Sequence, residues 1–88
     1  MSTSTEPKVR VISREVALHV LWHFGDRNLG QQPGKFTERL LLLIQTADDK
    51  NVALLRQVYP EQVEAVMNVA TKSWGLDWLR TIAREVAQ

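Results

Sequence analysis

Residues 30–51 read GQQPGKFTERLLLLIQTADDKN, which places a turn, a strongly apolar helix and the start of the next helix within 22 residues. Pro33 and Gly34 fit the two central positions of a type II turn, which predicts a positive φ at Gly34. A helix is expected to begin directly after this turn, at Lys35 or Phe36. Its leucine run places apolar side chains around much of the helix, which predicts that this helix is central and contacted on several sides. The buried face is expected to carry Phe36, Leu40, Leu43, Ile44 and Ala47.

Toward the C-terminus, capping residues and a proline divide the chain into three further helices. Asp48 is a typical N-cap for a helix over residues 49–58, and Pro60 suits the first turn of the next helix. Gly75 is expected to close that helix, because glycine readily adopts the left-handed conformation found at helix C-termini. Asp77 is then expected to cap a final helix with apolar residues at helical spacing.

Toward the N-terminus, Ser13 is a plausible N-cap for the first helix, which is predicted over residues 14–23 or one residue further. Gly25 is a natural stop for this helix. Residues 1–8 are small and polar and predict a flexible tail, whereas residues 9–88 are expected to form a single helical domain. The sequence therefore predicts an all-α fold, a compact bundle of four to five short helices.

The composition limits the classes of function. The 88 residues suit one domain, and their 44% hydrophobic content is sufficient for a core. No cysteine is present, which excludes a disulfide and fits a reducing compartment. Eleven basic and ten acidic residues give a net charge of +1, which argues against a large electrostatic surface for nucleic acid or membrane. The longest apolar run, residues 40–44, is far shorter than the ~20 residues of a membrane span, so we expect a cytoplasmic protein without membrane contact.

A pattern of turn, cap and core residues extends from Gly30 to Val66. It comprises Gln32, Pro33, Gly34, Phe36, Leu40, Ile44, Ala47, Asp48, Asn51, Leu54, Leu55, Tyr59, Pro60 and Val63. This pattern resembles small uncharacterised helical proteins encoded by bacteriophages and prophages, in which a Gln-Pro-Gly turn precedes a helix and an aromatic-Pro step leads onward. The resemblance implies a helical fold and a phage source, hence the cytoplasm of a host cell. It implies no catalytic residue.

One helix face carries side chains that bind metals in other proteins. Glu15, His19 and His23 recur every four residues, and Asp26 follows, so the four would line one stripe. The spacing is not that of a His-Glu-x-x-His site, and a partly exposed helix face explains it as well. Because both histidines lie on one helix and cysteine is absent, no Ser-His-Asp or Cys-His set can be assembled. We therefore expect no catalytic residue, metal or cofactor, and a protein that is not an enzyme.

The first helix has more apolar residues than one buried stripe can hold. Leu18 and Trp22 lie four residues apart and are predicted to form a second, exposed apolar face that binds a partner. The leading interpretation is a small non-enzymatic protein–protein interaction module, a phage accessory or host-directed protein. Its partner would be a host protein, or a second copy of the chain in a homo-oligomer.

The alternative interpretation is DNA binding by a helix-turn-helix-like pair over residues 36–58. The residues offered to DNA would be Lys50, Asn51, Arg56 and Gln57. Their side chains are of the types that contact base edges and phosphates. Asp48 and Asp49 would face phosphate, and the net charge is nearly neutral, so nucleic acid is the less favoured partner.

Overall fold

The computed structural model describes residues 12–85, which form five α-helices and no strand. The helices are α1 (Arg14–His23), α2 (Lys35–Thr46), α3 (Asp49–Val58), α4 (Pro60–Thr71) and α5 (Gly75–Arg84). The predicted all-α bundle of short helices is confirmed. The predicted tail at residues 1–8 lies outside the described residues.

The predicted helix starts are confirmed at three positions. The backbone N–H of Val16 donates a hydrogen bond to Oγ of Ser13 at 3.2 Å, and the backbone N–H of Asn51 donates one to Oδ1 of Asp48 at 2.9 Å. Each side chain thereby satisfies one of the N–H groups that a helix leaves without a partner in its first turn. Pro60 is the first residue of α4, where its missing N–H is not needed.

The fourth helix, α4, is the centre of the bundle. It contacts each of the other four helices. Val63, Ala65 and Val66 of α4 are completely buried, and small or β-branched side chains at these positions let neighbouring helices approach closely. The core around them includes Leu21 of α1 and Leu79 of α5.

The leucine-rich α2 contacts α1, α3 and α4, as expected, but the expectation that it would be the central helix is wrong. Its buried residues are Leu40, Leu41 and Ile44, which form a single stripe. Leu42 and Leu43 are each 53% exposed. The reason is geometric, because α2 packs on one side of α4 and successive helix residues are turned by ~100°.

Two expectations about glycine are also wrong. Gly34 has φ −70° and ψ 172°, the extended conformation of an N-cap, so residues 33–34 do not form a type II turn. Gly75 does not close α4, which ends at Thr71, but is the first residue of α5. Consequently, Asp77 lies within the first turn of α5 and is not its N-cap. Only Gly25, which follows α1, has the expected positive φ, of 102°.

Gly75 is needed because two backbones meet at this position. A Cβ atom built on Gly75 would lie 2.6 Å from the Cα atom of Val69, in the chain of α4. Carbon atoms in van der Waals contact are ~3.5–4.0 Å apart, so α5 starts closer to α4 than any side chain would allow. At Gly34, by contrast, an added Cβ atom would meet no atom within 4 Å.

We therefore expect opposite responses from these two glycines. Gly75→Ala should lower the free energy of unfolding by about 1–3 kcal/mol, because the α4 and α5 backbones must separate. Gly34→Ala should lower it by less than about 1 kcal/mol, because only the small preference of an N-cap for glycine over alanine is lost. Urea unfolding of the two variants measures the difference. Equal losses in both would contradict this account of the α4–α5 contact.

Candidate functional site

An apolar groove lies on the surface of the hairpin formed by α2 and α3. It has a volume of about 410 Å³ and is lined by Phe36, Arg39, Leu40, Leu43, Leu55 and Tyr59. Phe36, near the start of α2, lies beside Tyr59, which follows the last residue of α3, and their ring centroids are 6.2 Å apart. This aromatic pair closes the end of the groove opposite the short connection between the helices.

Helical periodicity explains why these side chains meet. Phe36, Leu40 and Leu43 lie at positions i, i+4 and i+7 of α2, so they form one stripe, which shares Leu40 with the buried stripe. Leu55 and Tyr59 are four residues apart at the end of α3 and face this stripe. Leu40 is buried and forms the floor of the groove, whereas Phe36 is 66% exposed and forms part of its wall.

The groove is suited to burying apolar surface. Four of its six lining residues are Leu or Phe, the fifth is Tyr59, and the single charged residue is Arg39. None of the six is a carboxylate or a histidine, the groups most often used for proton transfer. The arrangement therefore offers hydrophobic contact, with one cation and one phenol that can form polar contacts at its edge.

A second cavity, of about 470 Å³, is polar and lies between the loop after α1 and helix α5. Asp26 is one of its lining residues. Oδ1 of Asp26 accepts the backbone N–H groups of Asn28 and Leu29, both at 3.0 Å. Oδ2 accepts a hydrogen bond from Nε of Arg80 at 3.0 Å, and Nη1 of Arg80 forms an ion pair with Oδ1 of Asp77 at 3.1 Å. These contacts hold the loop against α5.

The same contacts shift the protonation of both partners. The N–H group of Leu29, and next the guanidinium of Arg80, hold the pKa of Asp26 below its ordinary value. The Asp26 carboxylate in turn raises the pKa of Arg80. Because the acceptor atoms of Asp26 are already engaged within the chain, we interpret this cavity as a structural contact between the loop and α5.

Leu18 and Trp22 do not form the exposed apolar face predicted from the sequence. Leu18 is only 4% exposed, because α1 is packed by α2, α4 and α5 and little of it remains open. Trp22 is half-buried, and the guanidinium of Arg27 lies 3.9 Å from the centre of its ring. Arg27 also donates to the carbonyl oxygen of Trp22 at 2.6 Å. The prediction is thus wrong about the exposure of Leu18, and Trp22 is partly covered by its own chain.

The four side chains predicted to contact DNA do not share one face. Lys50 and Gln57 are exposed and seven residues apart, but Arg56 is turned by ~120° from Lys50 and pairs with Glu64 of α4 at 3.2 Å. Asn51 uses its side-chain amide to donate to Asp48 at 2.9 Å. Two of the four are therefore engaged in contacts within the bundle.

The side chains considered for metal binding have separate partners. Nε2 of His23 lies 2.7 Å from Oε1 of Gln45 on α2, and Asp26 faces Arg80. Within residues 12–85, no three side chains of His, Asp or Glu are grouped closely enough to hold a metal ion together.

Comparisons with known proteins add no assignment. No protein-family model, curated protein sequence or solved structure matches this chain. Among the helices described, none combines the length and apolar character required to cross a membrane.

Sequence reasoning missed the groove although its signal was present. The sequence pattern predicts Phe36 and Leu43 in the core, because they repeat at helical spacing with Leu40. Periodicity identifies residues that share a face but does not indicate whether another part of the chain covers that face. The five consecutive apolar residues of α2 exceed what one stripe can bury, and this excess was the available signal.

The Asp26 contacts generate a pH-dependent prediction. A carboxyl group with a lowered native pKa stabilises the fold above its unfolded pKa, near 3.9, and loses this contribution as the pH falls through the native value. Asp26→Asn should therefore melt at a lower temperature than the wild type at pH 7, and the difference should shrink below about pH 4.

Asp77→Asn is the matched control, since Asp77 is an exposed partner of the same arginine. It should change the melting temperature much less than Asp26→Asn at pH 7. A difference between Asp26→Asn and the wild type that stays constant from pH 7 to pH 2 would contradict the assigned role of the carboxylate.

Proposed function

We propose that this protein is a small non-enzymatic protein-interaction module that binds a protein partner in the groove between α2 and α3. The observation that carries the proposal is the exposure of large apolar side chains along the groove. Phe36 and Leu43 extend from its wall, and Leu40, Leu55 and Tyr59 complete a continuous apolar surface. Contiguous apolar surface of this kind marks interaction sites more often than isolated exposed residues do.

The composition of the groove supports a protein partner over a small polar substrate. Aromatic side chains and arginine are enriched at the centres of protein interfaces, and Phe36, Tyr59 and Arg39 meet here. The two rings are held in contact with each other, so little side-chain freedom is lost when a partner covers them. A groove lined in this way can gain affinity from a few buried anchors.

The resemblance to phage-encoded proteins supports a more specific form of the proposal. In that form the module is a phage accessory or host-directed protein, and its partner is a protein of the host cell. The phage source and the host partner remain predictions that depend on the resemblance alone.

Two adjacent leucines provide a matched test of the groove. Leu42 and Leu43 are equally exposed, at 53%, but only Leu43 lines the groove. Wild type, Leu42→Lys and Leu43→Lys would be immobilised and exposed to a lysate of the natural host. A retained protein would then be purified and its affinity for each form measured by calorimetry.

We expect Leu43→Lys to weaken binding by at least about tenfold, as expected for an interface anchor, and Leu42→Lys to leave it nearly unchanged. Melting curves should show that both variants are folded, since neither side chain is buried. A partner that binds all three forms equally would contradict the assignment of the groove as the binding site.

A further inference from the structure

We infer that the groove between α2 and α3 binds an amphipathic helix whose apolar face is bordered by acidic residues. This inference rests on the proposed function and specifies the chemistry of the partner. It is carried by the length of the groove, by the secondary structure around it and by the charges at its edge.

The groove has the length of two helical turns. Phe36 and Leu43 are seven residues apart, which corresponds to ~10.5 Å along the axis of α2. A helix bound in a groove inserts anchors at i, i+3 or i+4, and i+7, and therefore spans the same distance. Two helices that form a groove also provide the parallel ridges against which a third helix packs.

An extended peptide has no comparable site in the described part of the chain. Peptides that bind in extended form usually add a strand to the open edge of a sheet. Residues 12–85 contain no strand and hence no such edge. Backbone hydrogen bonds from an extended partner would have no complementary row of donors and acceptors on α2 or α3, because those groups are used within the helices.

The charge at the edge of the groove is positive. Arg39 lines the groove and forms no ion pair with any residue from 12 to 85. Lys35 precedes Arg39 by four residues, so both cations lie along the same side of α2. A partner with carboxylates opposite these two residues would form charge-assisted hydrogen bonds with them.

The nearby acidic residues do not neutralise this edge. Glu38 follows Lys35 by three residues, but it forms no ion pair with Lys35 or Arg39, and it is turned by ~160° around α2 from the direction of Phe36. Asp48 accepts two hydrogen bonds from Asn51, at the connecting end of the hairpin. Glu64 pairs with Arg56 on the side of α3 that faces α4. A complementary partner therefore carries negative charge beside its apolar stripe.

Two synthetic peptides test the inference. Both have 15 residues and leucine at positions i, i+4 and i+7, and they differ only in four flanking positions, which are Glu in one peptide and Lys in the other. Each is titrated into the isotopically labelled full-length chain at low salt, and backbone amide shifts report both the affinity and the binding site.

We expect the Glu peptide to shift the amides of the groove residues and to bind at least about fivefold more tightly than the Lys peptide, a difference within reach of two surface charge contacts. Arg39→Glu should abolish or reverse this preference. Lys50→Glu is the control, because it makes the same charge change on α3 without altering the groove. Lys50 is turned by ~140° around the axis of α3 from Leu55 and does not line the groove. It should leave the preference intact.

Three outcomes would overturn the inference. Equal binding of both peptides in the groove would show that acidic residues are not selected, while the proposed interaction module would survive. Shifts confined to residues outside the groove would show that a helix is not its ligand. A dimer that sedimentation detects for the wild type but not for Leu43→Lys would identify a second copy as the occupant. The proposed function itself is tested separately, by comparing the binding of a host protein to Leu42→Lys and to Leu43→Lys.

Discussion

The four other helices of the bundle are held in place by packing against α4. No described helix exceeds 12 residues, and isolated helices shorter than ~12–15 residues are marginal in water. Each helix is therefore stabilised chiefly by the apolar surface that it buries with its neighbours. The fully buried Val63, Ala65 and Val66 provide the common surface, and Gly75 allows α5 to begin directly against the α4 backbone.

The loop between α1 and α2 is fixed by close contacts at two points. Gly30 lies so near the first helix that a Cβ atom would be 2.7 Å from the Cα atom of Trp22. Asp26 links the same loop to Arg80 of α5. Because this loop leads into α2, its attachment contributes to placing α2 on one side of α4 only. The second apolar stripe of α2 is thus left uncovered, and the groove with α3 results.

The residues that line the groove differ from those of the core in exposure and charge. Core positions hold apolar side chains without charge, whereas the groove combines Phe36 and Leu43 with Arg39 at its edge. Exposed apolar residues of this size add little to the stability of the monomer, because they remain in contact with water. Their contribution arises when a complementary surface removes that water, which is the physical basis for interpreting the hairpin as a binding surface.

Local signals in the sequence predict the helical class and most of the helix starts. Ser13, Asp48 and Pro60 act through contacts within three or four residues, and such local chemistry can be identified without knowledge of the fold. The burial of Leu18 and the exposure of Leu43, by contrast, depend on tertiary packing. Both are leucines at helical spacing. They differ in exposure because distant helices cover the face of α1 that carries Leu18, whereas no described helix covers the face of α2 that carries Leu43. The excess of apolar residues in α2 indicates that part of this helix stays exposed, but the position of the groove could not be predicted, because the groove joins stripes of two helices whose relative placement depends on α4.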